Sequence, residues 1–151
     1  MIAGGISIAV FKSSLKQQNK KTVQLEYNKL MKFLEVYKRI IYPIKNNLGL
    51  IDEHIKNQSY EEIENLVELN FQMFKDLKQI DTSEINYRTL RLVNLINRDI
   101  ELILFQLLFA IVAKDEEQKS VNLEAFAATF EESNKLIADL EQYEHELGES
   151  V

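Results

Sequence analysis

The amino-acid sequence predicts an all-α protein, an antiparallel up-down bundle of four long helices. Three observations predict it. Four Gly and one Pro in 151 residues leave little material for the turns that an all-β or α/β chain requires. A heptad series of apolar residues begins at Val23 and persists to Ile55. Two later junctions, at Ser59 and Asp81, carry residue types that cap helices.

Helix one is expected over about 12–57. Val23, Leu30, Tyr37, Ile44 and Ile51 follow one another at intervals of seven, as do Tyr27, Leu34, Ile41, Leu48 and Ile55, so the two series share one stripe of a helix. Pro43 interrupts this helix, because it lacks an N–H and its ring crowds the carbonyl of Arg39, at a cost of ~3 kcal/mol. The heptad phase survives the proline, which predicts one helix kinked at Pro43. If Pro43 instead opens a new helix as its first residue, the count becomes five.

Ser59, with Glu62 three residues on, forms a capping box for helix two at about 60–80. Its buried stripe is Ile63, Leu66, Val67, Asn70, Met73, Phe74, Leu77 and Ile80. Asp81 and Glu84 repeat the box for helix three at about 82–113, after a connection of a residue or two. In that helix Ile85, Leu92, Val93 and Ile96 form a stripe, but from Ile100 to Ala113 only Glu101 and Gln106 are polar. An end apolar all round is expected to be covered on most sides. The stretch DEEQKSVN reads as a polar loop, with Ser120 or Asn122 capping helix four at about 123–147. Leu123, Phe126, Ala127, Phe130, Ile137, Leu140 and Leu147 form its stripe, and Gly148 is a fitting stop.

Residues 12–151 thus make a single bundle domain, preceded by an apolar segment at 1–11. Charge divides the chain unevenly: residues 1–45 hold nine Lys or Arg against Glu26 and Glu35, whereas residues 46–151 hold nine against twenty-two acids. The uncharged start MIAGGISIAVF is followed abruptly by KSSLKQQNKKT, with four Lys and no acid. Eleven helical residues rise only about 16 Å, too little to span a bilayer alone. A signal peptide would carry its positive charge before the apolar run, not after it. The pattern suits the inner end of a membrane anchor with a cytoplasmic basic flank. Ile2, Ile6, Val10, Phe11, Lys12, Lys16, Lys20 and Lys21 are the membrane-proximal candidates.

Other chemistry finds little support. Cys is absent, so disulfides and thiolate sites are excluded. His54 and His145 lack the Glu-x-x-His spacing of bundle metal centres; His145, near Glu141, Glu144 and Glu146, offers at most weak binding of a divalent ion, and no metal is expected. No nucleophile elbow or phosphate-binding glycine loop occurs, so neither a catalytic residue nor a cofactor is expected. Lys12, Lys16 and Lys20 share a helix face, but no aromatic interleaves with them in an acidic protein, which argues against nucleic acid. Asp99 is expected to pair across the bundle with a basic residue of helix one, and Asn70 to fix helix register as a buried polar residue.

The functional expectation is a non-enzymatic interaction or scaffold module at the cytoplasmic face of a membrane, with a protein partner and with residues 1–21 on the lipid surface. The alternative is a soluble, cytoplasmic, acidic binder that neutralises a basic partner in the manner of small immunity proteins or chaperones. The apolar start also admits a homo-oligomer, by pairing two copies.

Overall fold

The computed structural model describes residues 2–151, with side chains from Ser14 onward. Its described residues form four α-helices and no strand: α1 (Ile2–Lys56), α2 (Ile63–Lys78), α3 (Tyr87–Val112) and α4 (Glu116–Glu149), with a 3-10 turn at Tyr60–Glu62 before α2. The all-α class stands. Helix α1 passes unbroken through Pro43. Pro43 and Arg39 are both exposed, so the Arg39 carbonyl that loses its donor lies on the side where water can bind it.

Local chemistry moves several boundaries away from the sequence reading. At the end of α1, Gln58 adopts the left-handed conformation (φ 58°). Ser59 N–H donates to the His54 carbonyl at 2.8 Å and Gln58 N–H to the Ile55 carbonyl at 3.1 Å, the bond pair of a Schellman motif with Gln where Gly is usual. Ser59 therefore closes α1, and its side chain makes no capping bond to the turn that follows. Asp81 accepts from Ser83 N–H at 2.9 Å, which stabilises a turn. The cap of α3 is Asn86, whose side chain accepts from Thr89 N–H at 2.9 Å. The expected short link between helices two and three is thus the whole segment 79–86.

Helix α4 begins seven residues earlier than expected, because Asp115 caps it by accepting from Gln118 N–H at 2.7 Å. Glu116 and Glu117 then occupy the positive first turn, where their charge favours helix over loop. Gly148 does not stop α4, which continues to Glu149. A Cβ at Gly148 would stand 3.3 Å from the Tyr27 ring, so the glycine permits a close approach between α4 and α1.

Helix α1 packs on α2 and α4, and α3 packs on the same two. Asn86, the cap of α3, meets Tyr143 of α4 at 2.6 Å, and Gln106 of α3 meets Thr129 of α4 at 3.1 Å. Lys38 of α1 meets Glu144 at 2.7 Å. Leu30, Leu34, Tyr37, Ile41, Ile44, Leu48 and Ile51 of α1 join Ile63, Val67, Phe74 and Leu77 of α2 in one buried cluster, together with the inner faces of α3 and α4. The heptad stripe is therefore core, except that Val23 and Tyr27, near where α1 leaves the other helices, and Ile55, near its other end, are half-buried. Ala127, placed in the α4 stripe from sequence, is exposed, while Thr129, Ser133 and Tyr143 are buried. The buried positions Phe126, Thr129, Ser133, Ile137, Leu140 and Tyr143 step by three and four, and Ala127 stands one residue, about 100°, off that stripe.

Leu34→Ala removes a side chain 1% exposed in the centre of this cluster. It should cost about 2–5 kcal/mol in denaturant unfolding; a loss under 1 kcal/mol would show that the site is not core. Gln58→Gly should raise stability by about 1 kcal/mol, since Gly adopts the left-handed conformation without the Cβ clash. An unchanged or lowered urea midpoint would contradict the motif.

Candidate functional site

Before its packed region α1 carries a stem. Ser14–Thr22 are all exposed, and burial begins only with half-buried Val23 and then Leu30. Repulsion among lysines and the lack of apolar residues at Lys16 and Lys20, where the heptad would place them, keep this part from joining the core. Lys16, Lys20 and Lys21 are exposed, and among the described residues none of them forms an ion pair. Of the candidates read from sequence, Ile2, Ile6, Val10, Phe11 and Lys12 lie outside the described side chains. Among the described residues no helix is long and apolar enough to cross a membrane.

A second feature was not legible as a surface. The apolar end of α3 is covered only on its α2 and α4 sides. Leu102, Phe105, Phe109 and Val112 remain 47%, 42%, 54% and 61% exposed along its outer face. The expectation that this end is covered on most sides therefore fails within one molecule, because a helix with two flanking neighbours keeps an outer face. The unbroken apolar run was the available signal. Phe105 meets Phe71 of α2 edge-on at 6.0 Å and stacks on Phe109 at 6.3 Å, so the ridge is a set of aligned aromatic surfaces.

Beside the ridge a cleft of about 680 Å³ opens over Phe33, Tyr37, Phe74 and Leu77, with Lys78, Arg98 and Glu101 at its mouth. Its cause is a mismatch of lengths: α2 has 16 residues against 26 in α3, about 15 Å less helix. The Tyr37 hydroxyl donates to Asn97 at 2.9 Å across this floor, and burial raises its pKa, so it remains a neutral donor. Tyr42 is pushed up to about 12 by burial and by the carboxylates of Glu141 and Glu144.

Asp99 does not pair with helix one. Its side chain is 2% exposed, its nearest cation is Arg98 of the same helix at 3.7 Å, and its Oδ2 has no hydrogen-bond partner. Burial raises its pKa and the facing Glu132 of α4 adds to the rise, with Arg98 opposing. The error lay in register: sequence does not show which α4 residue stands opposite Asp99. Asn70, by contrast, accepts from Asn47 at 3.1 Å between α1 and α2, as a register-fixing residue should. His145 pairs with exposed Glu149 at 3.0 Å instead of with Glu141. Among the described residues no group of three or more His, Cys, Asp or Glu is placed to hold a metal ion.

An acid whose pKa is raised on folding holds its proton more tightly in the folded state. Its contribution to stability therefore falls as pH rises from the ordinary carboxylate value through the raised one. Asp99→Asn should remove that dependence and raise stability at pH 7 by about 1 kcal/mol. Urea midpoints of both proteins from pH 4 to 8 check this; parallel curves would mean that Asp99 is not desolvated.

In comparisons with protein-family models, curated proteins and solved structures, nothing matches this chain.

Proposed function

We propose that the protein is a non-enzymatic interaction or scaffold module, an antiparallel up-down bundle held at the cytoplasmic face of a membrane by the start of α1. The bundle arrangement rests on residue pairing: Tyr27 approaches Gly148 and Lys38 meets Glu144, while Asn86 meets Tyr143 and Gln106 meets Thr129. Numbers rise on one helix as they fall on the other in both cases.

The observation that carries the membrane reading is the stem. Exposed Lys16, Lys20 and Lys21 continue the uncharged stretch Ile2–Phe11 on one helix, clear of the acidic body. Apolar insertion contributes roughly 25 cal/mol per Å² of buried surface, and each Lys near an anionic leaflet adds about 1 kcal/mol. From Lys12 to Leu30 the helix rises about 27 Å, which holds the bundle off the lipid surface as a rigid spacer. The second reading, a soluble binder of a basic partner, rests on α4, where ten acids accompany two Lys and most of the acids are exposed.

Sedimentation with vesicles containing anionic lipid separates the two. The full chain should pellet at low salt; a chain beginning at Lys12 should lose binding, and one with Lys12, Lys16, Lys20 and Lys21 changed to Gln should bind several hundred-fold more weakly. Absence of pelleting by the full chain would remove the membrane reading and leave the acidic binder.

A further inference from the structure

Two apolar stretches of helix lie at opposite ends of the molecule. The stem begins with the ten uncharged residues Ile2–Phe11 and passes into Lys12 and Lys16. The ridge runs over the eleven residues Leu102–Val112 and passes, after Ala113 and Lys114, into Asp115, Glu116 and Glu117. A hollow of about 660 Å³ beside Phe109 and Val112, bordered by Asp115 and Glu117, continues it. Each surface is about 15 Å of apolar helix; lysines follow the first, while three acids against the single Lys114 follow the second, so the net charges are opposite.

These surfaces do not meet within one chain. The root of the stem at Leu30 lies beside Ser83–Thr89, at the start of α3, and Tyr37 meets Asn97 about two turns along. Helix α1 therefore runs the same way as α3, with its stem pointing away from the far end where the ridge finishes. An unbroken helix does not double back.

We propose that the outer face of α3 is the docking site for segment Ile2–Phe11 of a second copy of this chain. Laid parallel to α3, the segment covers Leu102, Phe105, Phe109 and Val112 and brings Lys12 and Lys16 to Asp115 and Glu117. The donor's bundle then lies beyond the α3–α4 turn of the acceptor, about 27 Å along its own stem, so the two bodies do not collide. Donor and acceptor surfaces differ, and the two copies point the same way, so the contact is head-to-tail and repeats without closing. The membrane reading above uses the same segment. A lipid surface and the α3 ridge thus compete for it, and the assembly shelters the apolar residues when no lipid is present.

Sedimentation velocity without lipid tests the docking independently of vesicle binding. The full chain should show a weight-average coefficient that climbs steadily between about 1 and 100 µM. Two full-length variants should stay monomeric: Phe109→Glu, which spoils the ridge, and Ile6→Glu with Phe11→Glu, which spoils the segment. Their mixture should give a one-to-one heterodimer and nothing larger, since one intact stem meets one intact ridge. Val112→Glu repeats the ridge test should Phe109→Glu alter the far-UV circular dichroism. A full chain monomeric throughout, variants that still associate, or a mixture that stays monomeric would each overturn the proposal.

Discussion

The apolar stripe of α1 holds from Leu30 to Ile51 and fails where Lys20 and Lys16 stand in heptad positions. Helical continuity and burial are separate demands, and this helix meets the first over 55 residues and the second over about half of them. A backbone that satisfies its own hydrogen bonds can run into water without penalty, while a lysine on the inner stripe cannot be buried unpaired. The break in the stripe therefore fixes where the packed region ends and the stem begins. The seats of α2 and α4 follow, since both pack on the part of α1 that stays apolar.

Helix lengths shape the remaining surface. Against that stripe α2 contributes 16 residues, α3 26 and α4 34. The short α2 leaves Phe33 and Tyr37 as the floor of an open cleft, and segment 79–86 crosses the gap without helix. The polar groups around this gap are tied in pairs: Tyr37 to Asn97, and Asn86 to Tyr143. Such bonds anchor side chains where apolar packing thins out. At its other end α3 has the reverse condition, with more apolar surface than two neighbours can cover.

Charge is distributed along the same axis. The stem carries lysines and no acid before Glu26, while α4 carries acids over most of its length. Inside, Asp99 faces Glu132 with only Arg98 beside it, an unfavourable electrostatic position in an interface that also holds the apolar Ile96, Ile100, Ile103 and Phe126. A buried carboxylate of this kind makes the contact between α3 and α4 sensitive to protonation, whereas the neutral Asn47–Asn70 pair between α1 and α2 is not.

Sequence by itself determined the helical class, the heptad core of α1, the inner stripe of α2 and the abrupt passage from apolar to basic at Phe11 and Lys12. These follow from periodicity and composition, which act over a few turns and need no partner. The ends of the helices were legible only in part. Asn86 and Asp115 won over Asp81 and Asn122 because the cap forms wherever the chain's direction presents an oxygen to free N–H groups, and several residues of suitable type competed. Tertiary structure alone decided which faces meet. That Asp99 stands opposite Glu132, that Gly148 admits the Tyr27 ring, and that Phe105 and Phe109 look outward all depend on register between elements distant in sequence. A helix specifies its apolar stripe, but which neighbour covers the stripe, and which part is left over, is set by the number and length of the helices packed beside it.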